Sequence, residues 1–200
     1  MEEENKENNE FKAILLGNSG VGKTNLINTC VGLNFEEGIN TTTTGAFSSK
    51  KIKKDDKEYI INLWDTAGQE TYKSITKIFL KKSKIVIFVY DITSRKSFDD
   101  LREWIQMAKD VIENEYISAI IGNKMDLYQN EQVKEEEARK YAEQNGMLFQ
   151  LVSAKEDPKG FTLLLKDLIE EREGMSKSEI KEPISLTNNL NEKKINSCKC

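Results

Sequence analysis

The fold is decided by residues 11–31, which read FKAILLGNSGVGKTNLINTCV. Phe11–Leu16 is a short apolar run that predicts a β-strand ending at a glycine. A glycine-rich segment follows it. Gly22–Val31 then carries Leu26 and Cys30 on one side at helical spacing. The stretch therefore predicts a strand, a loop and a helix in that order.

The loop between strand and helix matches the pattern G-x-x-x-x-G-K-[ST], which binds phosphate when it has this context. Its glycines let the backbone curl so that several N–H groups face phosphate oxygens, and the helix N-terminus adds partial positive charge. Lys23 supplies a full charge near the β- and γ-phosphates, and the Thr24 hydroxyl can bind Mg²⁺. The loop does not distinguish a GTPase from an ATPase or a small-molecule kinase. The predicted contacts are Gly17, Ser19, Gly20, Val21, Gly22, Lys23, Thr24 and Asn25.

Strand-like and helix-like runs alternate along the rest of the chain. The further predicted strands are Phe47–Lys54, Tyr59–Trp64, Lys84–Tyr90, Tyr116–Ile121 and Met147–Val152. The further predicted helices are Thr71–Lys82, Phe98–Ile112 behind a capping box at Ser97 and Asp100, Val133–Asn145 and Phe161–Glu171. We predict an α/β P-loop NTPase fold of three layers, α/β/α. Its six-stranded sheet is mostly parallel, with one antiparallel edge strand from a hairpin at residues 54–57, and it has about five helices.

Length and composition bound the class of protein. The 200 residues fit one domain, expected at residues 11–172, with a disordered acidic N-terminus at 1–10 and a flexible tail at 173–200. The net charge of −4 argues against a nucleic-acid binder, and the absence of His excludes His-based catalysis. The N-terminus lacks the apolar region of a secretory signal, and no run approaches the roughly 18 apolar residues of a membrane span. We therefore expect the protein to be made and kept in the reducing cytosol.

Two polar motifs follow late predicted strands. Asn123-Lys124-Met125-Asp126 comes after Tyr116–Ile121, and Ser153-Ala154-Lys155 comes after Met147–Val152. Both should lie at the carboxyl edge of the sheet, where ligands bind in open α/β folds.

With these motifs the chain resembles the Ras superfamily of small GTPases, in which N-K-x-D reads guanine. The resemblance implies that Asp126 accepts from the guanine N1–H and 2-amino group, which adenine cannot satisfy. It implies that Asn123 reaches N7 and braces the loop, and that the Lys124 stem stacks on the base. The Ala154 N–H would meet O6, with Ser153 and Lys155 beside it, and Phe35, eleven residues after Thr24, would cover the guanine.

Asp65-Thr66-Ala67-Gly68-Gln69-Glu70 follows another predicted strand. By the resemblance, Asp65 holds Mg²⁺ through water, the Gly68 N–H meets the γ-phosphate and Gln69 orients the attacking water. A second loop needs a Thr that binds Mg²⁺ and the γ-phosphate only in the GTP form. Residues 41–44 are all Thr. The family spacing of 18 residues from Thr24 gives Thr42, and Thr43 is the alternative.

Within the superfamily the chain most resembles Rab GTPases. The run W-D-T-A-G-Q-E is typical of them, and Phe47, Trp64 and Phe79 match their effector-facing aromatic triad. The end Cys198-Lys199-Cys200 resembles a C-x-C end that carries two geranylgeranyl groups, enough for stable membrane attachment. The chain departs from the family at residues 43–47 (TTGAF), at Thr71 and at residues 77–82, so the resemblance identifies no particular effector.

The resemblance implies a monomeric GTP/GDP switch in vesicle trafficking, with Mg²⁺ as cofactor, in the cytoplasm and on the cytoplasmic face of endomembranes. Implied partners are an activating protein, an exchange factor, escort or dissociation-inhibitor proteins and effectors, with no nucleic acid. No arginine finger is evident in the sequence, so slow intrinsic hydrolysis is expected. Two alternatives stay open: a hydrolysis-poor GTP-binding module with an unusual first switch, and an ATP-dependent P-loop enzyme.

Overall fold

The computed structural model describes residues 9–39, 42, 45–66 and 73–179, leaving aside the side chains of residues 73 and 176–179. Its sheet has six strands in the order β2-β3-β1-β4-β5-β6. All neighbouring strands are parallel except β2 and β3, as predicted. The strands are β1 Glu10–Leu16, β2 Ala46–Lys54, β3 Lys57–Asp65, β4 Ile85–Asp91, β5 Ile117–Asn123 and β6 Leu148–Leu151.

Helices cover both faces of this sheet, which gives the predicted three layers. The described residues contain α1 Lys23–Val31, α2 Lys73–Leu80, α3 Arg95–Asp99, α4 Leu101–Val111, α5 Glu135–Gln144 and α6 Pro158–Glu179, with a 3-10 helix at Met125–Asn130. Side chains alternate along β1, so Ala13 and Leu15 join the core under α1 and α6. Ile14 and Leu16 join the core under α3, α4 and α5. Both β4 and β5 are buried along their whole length, as expected of central parallel strands.

Two predicted turn features are confirmed. The hairpin between β2 and β3 turns at Asp55 and Asp56, and Asp55 has a positive φ of 52°. After α5, Gly146 has φ 65° and its N–H donates to the Glu143 carbonyl, as a C-terminal cap does. Glu10 was assigned to the disordered N-terminus but begins β1, opposite Ile60; residues 1–8 lie outside the described part.

The predicted capping box at Ser97 is wrong. The helix begins three residues earlier, because the Ser94 side chain accepts a hydrogen bond from the Ser97 N–H (3.3 Å). Ser97 is instead buried, and its hydroxyl accepts from the Asp91 N–H (3.0 Å). The predicted single helix is also two, α3 and α4, which meet at Asp100.

The last helix is longer than predicted. It ends at Glu179 rather than Glu171, so the tail does not start at residue 173. Glu173 anchors the extra turns, because it pairs with Lys54 (3.4 Å) and Lys57 (3.4 Å) and accepts from the Tyr59 hydroxyl. These partners lie on the β2–β3 hairpin. No helix in the described part of the chain is long and apolar enough to cross a lipid bilayer.

Candidate nucleotide site at the carboxyl edge of the sheet

Loops from four parallel strands meet at one edge of the sheet. The phosphate loop leaves β1, Asp65 ends β3, Asn123 ends β5 and residues 153–155 follow β6. Because β3, β1, β4, β5 and β6 are neighbours and parallel, all these segments share the carboxyl edge. The topology therefore gathers residues that lie up to about 140 positions apart in the sequence.

Two glycines of the phosphate loop occupy positions that no side chain could fill. A Cβ on Gly17 would lie 2.1 Å from the Val89 carbonyl oxygen, and one on Gly22 would lie 2.3 Å from Asn123 Nδ2. Gly22 has φ 94° and caps α1 without a side-chain hydrogen bond. The first N–H groups of α1 are therefore left for an anion. Ser19 and Gly20 form an exposed turn before Val21.

Lys23 is buried inside this loop, with 5% of its surface exposed. Its ammonium donates to the carbonyls of Gly17 (2.7 Å) and Asn18 (2.9 Å). Burial lowers the pKa of Lys23 to about 8, although the carboxylate of Asp65 opposes the change. An ammonium has three N–H donors, so one remains for a phosphate oxygen.

Three oxygen-bearing side chains meet beside the loop. The Thr24 hydroxyl donates to Asp65 Oδ2 (2.7 Å), and the Thr42 hydroxyl lies 3.0 Å from that of Thr24 and 3.3 Å from Asp65 Oδ2. Asp65 Oδ1 is buried and has no hydrogen-bond partner among the described residues. Burial raises the pKa of Asp65, although the hydrogen bond from the Thr24 hydroxyl and the charge of the Lys23 ammonium act to lower it.

This oxygen cluster fits Mg²⁺, which prefers few protein oxygens together with substrate phosphates. The orphaned carboxylate oxygen supports the fit, since a buried acceptor without a partner is costly. Within the described ranges no group of three or more Cys, Asp or Glu could hold a metal elsewhere. Of the four threonines the structure brings Thr42 to the cluster; its alternative, Thr43, lies outside the described residues.

Asn123 braces the loops on the base side of the site. It is 1% exposed, its Nδ2 donates to the Val21 carbonyl (2.8 Å) and its Oδ1 accepts from the Ala154 N–H (3.2 Å). Next to it, Asp126 Oδ1 accepts from the Ser153 hydroxyl (2.6 Å). Ser153 therefore orients Asp126, and the second carboxylate oxygen is left for a ligand.

Asp91 is a site residue that the sequence analysis missed. Its Oδ2 lies 2.6 Å from the Lys124 ammonium, and its Oδ1 accepts from the Thr93 N–H (2.9 Å) and hydroxyl (2.7 Å). Lys124 has a positive φ of 66°, so its stem leaves β5 in a fixed direction. A carboxylate directly after the apolar run KIVIFVY was the available signal.

Phe35 lies where the guanine cover is predicted. Its ring is partly buried against the core under α1 and α6. The Lys155 ammonium lies 5.9 Å from the ring centroid and pairs with Glu37 (2.8 Å). Because this ion pair is exposed, we expect it to contribute little to stability.

Asn25 is predicted to contact the nucleotide, but its side chain holds the Phe35 loop instead. Its Nδ2 donates to the Glu36 carbonyl (2.9 Å), and its Oδ1 accepts from the Glu36 N–H (3.1 Å). Only the backbone of Asn25 is left for a phosphate. The paired bonds fix the residue next to Phe35 to the first turn of α1.

We predict that Asn25→Ala speeds the release of bound guanine nucleotide by roughly five- to tenfold, since two neutral hydrogen bonds are lost at an exposed position. Displacement of a fluorescent GDP by excess GDP measures this rate. Asn28→Ala on the same helix is the control and should release at the parent rate. Equal rates of GDP release for Asn25→Ala and the parent would contradict the role of Asn25 in holding the Phe35 loop.

Gly68 and Gln69 lie outside the described residues, as do Cys198 and Cys200, so their roles stay predictions. The described loops nevertheless hold each remaining predicted site residue at the same edge of the sheet. A phosphate loop, an oxygen cluster and a braced carboxylate in this order can bind a nucleoside polyphosphate along the edge.

Comparison with known proteins agrees with this geometry. The sequence model of the Ras family matches residues 12–171. Ras-related protein Rab-2B of Dictyostelium discoideum is 39% identical over 145 residues, 72% of either chain. Ras-related protein Rab-30 of Homo sapiens is 35% identical over 146 residues, 73% of this chain and 72% of its own. Ras-related protein RGP2 of Oryza sativa is 35% identical over 73% of this chain and 67% of its own.

The six-stranded fold, the phosphate loop and the matched span define a Ras-type GTP-binding domain. The chain belongs to the Rab family of small GTPases. It is accordingly a GTP hydrolase that binds GTP and GDP and acts as a switch.

Proposed function

We propose that this GTPase is a Mg²⁺-dependent switch of the Rab type that acts in membrane trafficking. The contact of Thr42 with Thr24 and Asp65 carries the proposal. It ties the first switch loop to the phosphate loop and to the end of β3. A loop held there would respond to the γ-phosphate, despite the unusual residues that follow it. This observation favours a hydrolysing switch over a hydrolysis-poor module.

In the proposed reaction, water attacks the γ-phosphorus in line. The bond from that phosphorus to the β–γ bridging oxygen breaks, the electron pair stays with GDP, and the oxygen and protons of the water leave with the phosphate. The free donor of Lys23 and the N–H groups at the start of α1 stabilise the charge that develops on the phosphate oxygens. Thr24 and Thr42 would hold Mg²⁺ directly and Asp65 would hold it through water, and the ion would supply positive charge near the phosphate oxygens.

Gln69 is proposed to orient the attacking water, with the Gly68 N–H on the γ-phosphate. We predict that Gln69→Leu slows hydrolysis by roughly tenfold or more, because Leu cannot hold a water, while GTP affinity stays unchanged. Single-turnover phosphate release from the purified, GTP-loaded protein measures the hydrolysis rate of the parent and of the variant. Gln106→Leu, exposed on α4, is a matched control. Unchanged phosphate release in Gln69→Leu would exclude Gln69 from the reaction.

Loss of the γ-phosphate would release both switch segments from the site. Three aromatic side chains on β2, β3 and α2 form a candidate partner surface. Phe47, 55% exposed, packs edge-on against Trp64 (5.5 Å between ring centroids), and Trp64 packs on Phe79 (5.2 Å). We propose that effectors contact these aromatic residues in the GTP form, and that an activating protein, an exchange factor and an escort protein regulate the cycle of a monomeric chain.

The membrane attachment is proposed from Cys198 and Cys200. Two geranylgeranyl thioethers would hold the chain on the cytoplasmic face of endomembranes, whereas one chain gives marginal binding. We predict that the double variant C198S/C200S moves from the membrane pellet to the cytosolic fraction of its own cells. Fractionation with immunoblotting measures the shift, and a single C198S variant should give an intermediate result. A double variant that still pellets would contradict lipid attachment at these residues.

A further inference from the structure

The phosphate loop is tied by one side chain to a helix that carries no residue of the predicted site. Asn18 Nδ2 donates to Asp100 Oδ2 (2.6 Å), between α3 and α4. Asn18 Oδ1 accepts from the indole N–H of Trp104 on α4 (2.8 Å). Trp104 is 2% exposed and lies 86 positions from Asn18 in the sequence.

The two partners fix which way the Asn18 amide points. An indole nitrogen only donates and an ionised carboxylate only accepts, so the amide oxygen must face Trp104 and the amide nitrogen must face Asp100. An aspartate at this position would lose its donor and meet a second carboxylate. An alanine would remove both side-chain hydrogen bonds that hold the loop.

The backbone of Asn18 contacts the Lys23 ammonium. The Asn18 carbonyl accepts from the Lys23 ammonium (2.9 Å), next to the Gly17 carbonyl (2.7 Å). A chain of contacts therefore runs from Trp104 and Asp100 through Asn18 to Lys23. Fixing the Asn18 side chain fixes the carbonyl that aims the ammonium, and with it the curl of the loop.

We propose that Asn18, held by Trp104 and Asp100, is a positioning residue that pre-forms the phosphate loop for the β- and γ-phosphates. This inference rests on the proposed nucleotide site and assigns residues beyond its motif. A loop ordered in advance loses less conformational freedom when the phosphates bind. The base-reading residues Asn123 and Asp126 belong to other loops, so the effect should fall on phosphate binding and spare base selection.

The test uses the full chain with Mg²⁺ and two variants that act on the same bond from opposite sides. Trp104→Phe keeps an aromatic ring in the core but removes the indole N–H together with part of the bicyclic ring, so the double variant with Asn18→Ala is needed to separate loss of the bond from loss of ring volume. Asn18→Ala removes the amide. We expect each single variant to release fluorescent GDP roughly five- to tenfold faster than the parent. Because both substitutions break the same bond, the double variant should release GDP no faster than the faster of the two single variants. Asp100→Asn keeps an acceptor oxygen and should retain a rate near the parent's, whereas Asp100→Ala should not.

A second readout separates positioning from general loosening of the fold. Competition with GDP and GMP measures the affinity contributed by the β-phosphate, and competition with GTP and ATP measures base selection. In the variants the ratio of the affinity for GDP to that for GMP should fall, while the ratio of the affinity for GTP to that for ATP stays at the parent value. Parent release rates in both variants, or an equal fall of both ratios, would overturn the inference. If the parent itself bound no guanine nucleotide, the proposed function would fail instead.

Discussion

Replacing Lys23 by Met is expected to lower the affinity for both GTP and GDP by roughly 30-fold to several thousand-fold. Removing one partner of a buried charge pair costs about 2–5 kcal/mol, and each 1.4 kcal/mol corresponds to about tenfold in affinity. Lys23 is buried with two carbonyl acceptors, so we expect its remaining donor to meet a phosphate oxygen where solvent screening is weak.

The same substitution should change the stability of the nucleotide-free protein far less than it changes nucleotide affinity. Burial lowers the pKa of Lys23 to about 8, which means that burying the ammonium costs free energy. Met removes this cost and keeps most of the apolar stem, but it also removes the hydrogen bonds to the Gly17 and Asn18 carbonyls, so the two contributions oppose each other. Titration calorimetry and thermal melting of nucleotide-free protein measure the two effects, with Lys109→Met on the exposed side of α4 as control. Lys23→Met protein that bound GTP as tightly as the parent would contradict the assigned role.

Replacing Asp126 by Asn is expected to abolish the preference for guanine and create one for xanthine. The Ser153 hydroxyl donates to Asp126 Oδ1, so an Asn would keep its oxygen there and present its NH₂ group to the base. Guanine offers N–H donors at that edge, which would meet another donor. Xanthine has a carbonyl at C2 and would accept from the new amide.

A site built to hydrogen-bond a ligand rejects a mismatched one by about 10⁴–10⁵, so the reversal should be large. Competition of XTP, GTP and ATP against a fluorescent nucleotide measures it. Ser153→Ala leaves the carboxylate in place and should cost only about tenfold in GTP affinity, since one hydrogen bond is lost. If Asp126→Asn still preferred GTP over XTP, Asp126 would not be the base reader.

The phosphate loop was predictable because its requirements are local. Gly17 and Gly22 are needed at places where a Cβ would strike Val89 or Asn123, and the loop follows a strand and opens a helix as the pattern demands. The mostly parallel sheet and the three layers followed from alternating strand-like and helix-like runs.

The features that were missed depend on contacts between distant residues. Residues 173–179 are mostly polar, and the contacts of Glu173 with the hairpin and of Met175 with the core, which hold this end of the helix, join distant parts of the chain. Asn18 is one of the variable positions of its motif, and its partners lie more than 80 residues away. The helix start at Ser94 was misassigned because Ser97 offers the same capping chemistry three residues later. Among four threonines in a row, the spacing from Thr24 favoured Thr42 over Thr43, and Thr42 is the one whose hydroxyl lies beside Thr24 and Asp65.

The central claim is that one edge of the sheet binds a triphosphate through Lys23 and Mg²⁺ and selects guanine through Asp126. Dissociation constants of the purified full chain for GTP and ATP, each with Mg²⁺ and with EDTA, test it most directly. We predict that GTP binds at least about 1,000-fold more tightly than ATP, and that EDTA weakens this binding strongly. Equal affinities for the two nucleotides, or GTP binding indifferent to Mg²⁺, would contradict the claim.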